Sequence, residues 1–166
     1  MGENDMEPPG APLEKQKTNT SHFSSFVILV VDDDPLQGDI IKTILSDEGY
    51  QAYVASSAQE ALEVAETLKP HVVLTDLCMY KMDGIKLTEK LRSQEVAPEV
   101  IIMSAFGTPV MIEESLERGA FSFMQKPLEK YKVLHNVNRA AETAEKIRLF
   151  AAGVQVIQNG INLFPL

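Results

Sequence analysis

The chain has 166 residues, a formal net charge of −9, 45% hydrophobic and 23% charged residues, the balance of an ordinary globular protein and not of a fibrous, wholly disordered or bilayer-embedded one. Lys and Arg are scattered among acidic neighbours, so direct nucleic-acid binding is not expected. Cys78 is the only cysteine; no internal disulfide can form, which fits a reducing compartment and predicts a cytoplasmic protein.

Residues 1–25 are polar, carry Pro8, Pro9 and Pro12, and lack an apolar run. They read as a flexible tail, neither signal peptide nor membrane anchor. From Phe26 onward, short apolar runs of strand length follow one another: FVILVV, QAYVA, HVVLT, EVIIMS and FSFM. Between them, PLQGDIIKTILSDEGY, AQEALEVAETL, GIKLTEKLRSQ and PVMIEESLERGA place apolar residues three or four apart, as helices do. The pattern is βα repeated, and near-continuous apolar strands joined by helix-length crossovers predict a parallel α/β sheet of five strands covered on both faces. Pro35 and Pro127 suit first helical turns, while Gly49 and Gly119 suit helix C-terminal positions. The last helix carries Leu128, Tyr131, Leu134, Val137 and Ala141 at helical spacing and is expected to reach Phe150 before Gly153. Residues 26–150 thus form one domain, and 151–166 a C-terminal tail with a turn at Asn159-Gly160, too small to be an output domain.

In open parallel sheets, functional groups gather at the carboxyl ends of the strands. Here the first strand ends in Asp32, Asp33 and Asp34, the third in Asp76 and the fourth in Ser104, and Lys126 follows the fifth. Clustered carboxylates repel unless a cation neutralises them. Oxygen-rich, sulfur-poor ligands point to Mg²⁺, which takes one or two carboxylates, waters and phosphate oxygens. An Asp can act as nucleophile toward a phosphoryl group, with Lys126 and the Ser104 hydroxyl holding its oxygens. Each residue also has a plainer reading: Asp34 before Pro35 suits a helix N-cap, and Lys126-Pro127 could be a simple loop. His22, His71 and His135 lie too far apart for a zinc site.

The segments ILVVDDDP, LTDLCMYKMDG, IIMSA and MQKP, in this order and spacing, resemble the receiver domain of bacterial two-component response regulators, over Phe26 to about Ala144. The resemblance implies a flavodoxin-like fold with strand order 2-1-3-4-5. It implies that Asp76 is the phosphoacceptor, that Asp33 and Asp76 ligate Mg²⁺ with the Cys78 backbone carbonyl, and that Asp32 orients a metal-bound water. Lys126 takes the phosphate-pairing position, Ser104 the switch hydroxyl and Phe123 the switch aromatic, while small Ala105 leaves room for the phosphoryl group. The implied phosphodonor is a sensor histidine kinase or a phosphotransfer protein. A downstream protein target would read the face altered by Ser104 and Phe123, and the long last helix could support a homodimer. The segment AFGTPVMIEESLERGAFSFMQKP resembles receivers of enhancer-binding activators. Tyr80 departs from the family pattern, since many receivers carry Pro four residues after the acceptor.

A receiver is a switch that promotes its own aspartyl phosphorylation, not an enzyme in the usual sense. Two other readings share its chemistry. In a haloacid-dehalogenase-like Mg²⁺ phosphatase, Asp32 would be nucleophile and Asp34 acid/base, but Pro35 is ill placed for it and Asp76 would have no role. A pseudo-receiver would keep the fold as an interaction module without using phosphorylation, which the full set of matching residues opposes. Cys78, beside acids, lacks the positive charge that would activate its thiol.

Overall fold

The computed structural model describes the backbone of residues 23–161 and the side chains of residues 23–153. Strand β1 (Val27–Val31) is followed by helix α1 (Pro35–Asp47), β2 (Gln51–Ala55), α2 (Ala58–Leu68), β3 (Val72–Asp76), α3 (Gly84–Arg92), β4 (Glu99–Ser104), α4 (Pro109–Glu117), β5 (Ser122–Gln125) and α5 (Lys130–Ile161). The sheet is parallel throughout, in the order β2-β1-β3-β4-β5. The order reverses between β1 and β3, which opens a crevice at their carboxyl ends.

Alternation along each strand divides the core. Ile28 and Val30 of β1, Val72 and Leu74 of β3, and Ile101 and Met103 of β4 pack with Ile41 and Leu45 of α1 and Val133 and Val137 of α5. Leu29, Val31, Val73 and Val100 face the other way, onto Ala58, Ala61 and Ala65 of α2 and Leu87 and Leu91 of α3. The central strands are buried on both faces, and this is why their sequences read as unbroken apolar runs. One buried acid interrupts that rule: Glu99 of β4 is held by Arg92, with Nη1 3.0 Å from Oε1.

Helix boundaries follow local chemistry. Asp34, Ser57, Asp83 and Thr108 cap the first four helices with side-chain oxygens that accept backbone N–H groups. Gly49 and Gly119 both stand at φ 99°, a left-handed conformation that glycine reaches without a Cβ clash. Three boundaries differ from expectation. Pro127 does not open the last helix: the Lys126–Pro127 peptide is cis, Leu128 packs into the core, and the first helical residue is Lys130. Lys126 is tied to the strand rim by its N–H, which donates to the Ser104 carbonyl at 2.8 Å, so the chain needs a short connection before it can coil. At the far end α5 continues through Gly153 and through Asn159-Gly160, where a turn was expected, to Ile161; a helical glycine costs only about 1 kcal/mol against alanine. The packed region also begins before Phe26, since the Phe23 ring lies 4.9 Å from that of Tyr50. The remainder of the expected tails, 1–22 and 162–166, lies outside the described residues.

A polar clasp holds the amino ends of the strands. His71 Nδ1 accepts the Val27 N–H at 3.1 Å, and Nε2 faces Glu145 of α5 at 3.4 Å. Arg148 of α5 donates to the carbonyls of Lys69 and Pro70 beyond α2, at 3.1 and 2.5 Å. Burial, with the Arg148 charge, pushes His71 below its ordinary 6.5, against the opposing pull of Glu145. The unfolded chain therefore takes up the proton first as pH falls through 6.5, and stability declines until the folded-state pKa is passed. Thermal unfolding followed from pH 7.5 to 5 should show the midpoint falling more steeply than in His71→Gln, whose amide oxygen can accept the same N–H without titrating.

Candidate functional site

The carboxyl ends of β1, β3 and β4 and the residue after β5 deliver their polar groups to one rim. Asp32, 2% exposed, accepts the Asp34 N–H on Oδ1 at 2.9 Å and faces Lys126 Nζ with Oδ2 at 3.1 Å. The acidic run thus divides its labour. Asp34 turns back to cap α1, accepting the Leu36 N–H at 3.0 Å. Asp33 is exposed and lines an open cleft of about 580 Å³ with Cys78, Tyr80, Asp83, Met111 and Glu114.

Asp76 closes β3 in register with Met103. Its carboxyl Oδ1 lies 3.0 Å from Lys126 Nζ, so the one ammonium bridges Asp32 and Asp76. Burial raises the Asp76 pKa above its ordinary 3.8; Lys126 pulls it down, while the Asp32 and Asp33 charges push it up, and the net direction is upward. For Lys126, burial disfavours the charge, but the hydrogen bonds and charges of Asp76 and Asp32 outweigh it and hold the proton above the ordinary 10.5. Among the described residues no three His, Cys, Asp or Glu side chains converge tightly enough to hold a metal. A divalent ion here would draw on two carboxylates, a carbonyl and water, a donor set that fits Mg²⁺ and not zinc.

The backbone beneath Asp76 is pinned by a residue that sequence reasoning missed. A Cβ on Gly84 would lie 2.5 Å from the Asp76 carbonyl oxygen and 3.1 Å from Leu77 Cα, and the Gly84 N–H donates to the Leu77 carbonyl at 2.9 Å. The start of α3 thus folds back onto the end of β3, and only glycine permits the approach. The Asp83-Gly84 pair, a cap followed by glycine, was the available signal. Between β3 and α3, Lys81 adopts φ 69°, which closes the loop carrying Cys78 and the exposed Tyr80.

Ser104 and Phe123 sit beside this cluster without joining it. The buried Ser104 hydroxyl accepts the Phe106 N–H and donates to the Phe106 carbonyl, both at 3.1 Å, instead of facing Asp76. Phe123 is half-buried against the small cluster of Leu77, Ile102 and Ala120.

Because Asp76 holds its proton more tightly when folded, its ionisation works against folding, and stability rises as pH falls through the window just above 3.8. Carboxyl ¹³C NMR should place Asp76 above that value, and Lys126→Met should raise it further by removing the pull of the ammonium. At neutral pH, Asp76→Asn should increase the melting midpoint.

The model of the response regulator receiver domain matches residues 28–138. The chemotaxis protein CheY of Thermotoga maritima is 30% identical over 116 residues, covering 69% of this chain and 97% of that protein. The regulatory protein AtoC of Escherichia coli is 33% identical over 115 residues, 69% of this chain but only 25% of the relative, so this chain corresponds to about a quarter of that regulator. Among solved structures, a CheX-CheY-BeF3-Mg²⁺ complex from Borrelia burgdorferi superposes with a TM-score of 0.64 at 30% identity, covering 68% of this chain and 86% of the other. With the order β2-β1-β3-β4-β5 and an Asp–Lys–Asp cluster at the strand ends, the chain belongs to the response regulator receiver family.

Proposed function

We propose that the chain is a phosphorylation switch in which Asp76 accepts a phosphoryl group from a sensor histidine kinase or a phosphotransfer protein, with Mg²⁺ at the site. The observation that carries this reading is the Lys126 ammonium set between Asp76 and Asp32, at 3.0 and 3.1 Å, beside the open cleft lined by Asp33. Asp33, Asp76 and the Cys78 backbone carbonyl would hold the ion, and Asp32 would orient one of its waters. When bound, Mg²⁺ supplies positive charge to the phosphoryl oxygens.

Lys126 rests on Oδ1 of Asp76 and would pass to the phosphoryl oxygens, leaving Oδ1 for the ion, so Oδ2 is assigned as the nucleophile. It forms the O–P bond as the P–N bond of the donor phosphohistidine breaks, and the bonding pair leaves on the imidazole nitrogen. The transition state is loose, so the chain contributes alignment and charge: Gly84 fixes the acceptor's backbone, and Lys126 pairs the phosphoryl oxygens. The Ser104 hydroxyl exchanges its Phe106 contacts for the phosphoryl group, Phe123 shifts, and the surface around α4 and β5 changes for a downstream protein target. This is a population shift whose size equals the difference in how the two states hold the phosphoryl group. No helix among the described residues is long and apolar enough to cross a membrane; a cytoplasmic site of action, without direct contact to nucleic acid, completes the reading. The length of α5 (Lys130–Ile161) favours a homodimer.

Intact-protein mass after incubation with acetyl phosphate and Mg²⁺ should show a gain of one phosphoryl group that Asp76→Asn abolishes. Absence of any gain in the folded wild type would turn the reading to an interaction module or a phosphatase. Lys126→Met should slow the gain at least about tenfold, the effect of losing one charge-assisted contact of roughly 1.5 kcal/mol or more in the transition state.

A further inference from the structure

We propose that Gly107, in the connection between β4 and α4, is the seat of the Phe123 ring, and that its missing side chain couples the Ser104 hydroxyl to that ring. The consequence for signalling rests on the phosphorylation-switch reading; the seat itself does not.

Two consecutive residues of this connection touch the two groups assigned to the switch. Phe106 gives its N–H and its carbonyl to the Ser104 hydroxyl, each at 3.1 Å. A hydroxyl engaged in both directions by one residue cannot approach Asp76 without releasing both contacts. Gly107 comes next, and a Cβ built there would stand 2.8 Å from Phe123 Cε1 and 3.3 Å from its Cζ, with Ile112 Cδ1 at an ordinary 3.8 Å. The ring therefore lies on the glycine backbone, in space that any side chain at this position would fill. Gly107 is not among the positive-φ residues, so its backbone conformation would accept alanine, and the ring is the obstacle. The Phe106 side chain is 78% exposed and adds no buried anchor of its own, while Thr108 fixes the following turn by capping α4. Release of Phe106 by Ser104 thus moves Gly107, and with it the surface on which Phe123 rests. Gly107 is a positioning residue: it acts on the switch through Phe123 and touches none of the reacting atoms.

The test is a double-variant melting comparison on the full chain. Gly107→Ala should lower the melting midpoint by roughly 3–9 °C when Phe123 is present, the cost of overpacking. In a Phe123→Leu background the same substitution should leave it unchanged or raise it, because replacing a glycine whose conformation alanine tolerates reduces unfolded-state entropy. An equal effect in both backgrounds, or failure to fold in both, would overturn the proposal; failure to fold with Phe123 and rescue by Phe123→Leu would support it. A second readout follows the ring, by ¹⁹F NMR of protein carrying 4-fluorophenylalanine, with the Phe123 signal identified by its loss in Phe123→Leu. In Gly107→Ala that signal should move before any phosphodonor is added and should no longer respond to acetyl phosphate, while the mass gain at Asp76 stays within about twofold of wild type. An unchanged signal with an unchanged response would sink the coupling. If the wild type itself takes no phosphoryl group, the switch reading fails, and the melting comparison still decides the seat.

Discussion

Everything at the rim depends on one ammonium. Lys126 and Asp32 are separated by 94 positions in the chain, yet Nζ and Oδ2 stand 3.1 Å apart, and Asp76 closes the other side at 3.0 Å. A half-buried lysine is costly to keep charged, and two neighbouring carboxylates are costly to keep ionised; together they compensate. The compensation is incomplete on the acidic side, since the Asp76 carboxyl still sits above its ordinary pKa. Burial is the largest cause, and the charges of Asp32 and Asp33 add to it.

That arrangement is possible because the sheet supplies the geometry without supplying the chemistry. The three inner strands are buried on both faces and end within one residue of each other, so Asp32 and Asp76 emerge at one level and Ser104 one residue beyond. Backbone bonds between neighbouring strand ends lock the level: the Leu77 N–H donates to the Met103 carbonyl at 2.8 Å, and the Lys126 N–H to the Ser104 carbonyl at 2.8 Å. Close approach of Gly84 to the Asp76 carbonyl then stops Asp76 from drifting along its strand.

How much of this the sequence disclosed depends on the range of the interaction involved. The strands were legible because burial on both faces leaves an unbroken apolar signature, and α1 to α4 because their apolar residues recur three or four apart, with Asp34 before Pro35 marking the first start. The site acids and Lys126 could be placed at strand ends by the same logic. What stayed hidden is set by contacts between distant segments. Nothing near Pro127 signals that Lys126 is bound to the Ser104 carbonyl and delays the helix, nor that Ser104 turns its hydroxyl to Phe106. Gly84 and Gly107 look like ordinary turn glycines until the Asp76 carbonyl and the Phe123 ring are seen against them. At the amino ends of the strands, the clasp of His71, Glu145 and Arg148 joins residues more than seventy positions apart.

That clasp bears on where a change at the rim can travel. Helix α5 starts beside Lys126 and is held along the sheet by Val133, Val137, Ala140 and Ala141, then fastened near its middle by Glu145 and Arg148. Its small residues let it lie close to the strands, and close-packed interfaces resist sliding. Helix α4 is the opposite case: Ser115 is its one fully buried residue, and Val110 and Leu116 stand exposed. Elements with few buried contacts open at the lowest free energy. A displacement begun at Ser104 therefore meets a rigid wall on the α5 side and a loosely held helix on the other. The connection through Phe106 and Gly107 leads directly into that loosely held helix.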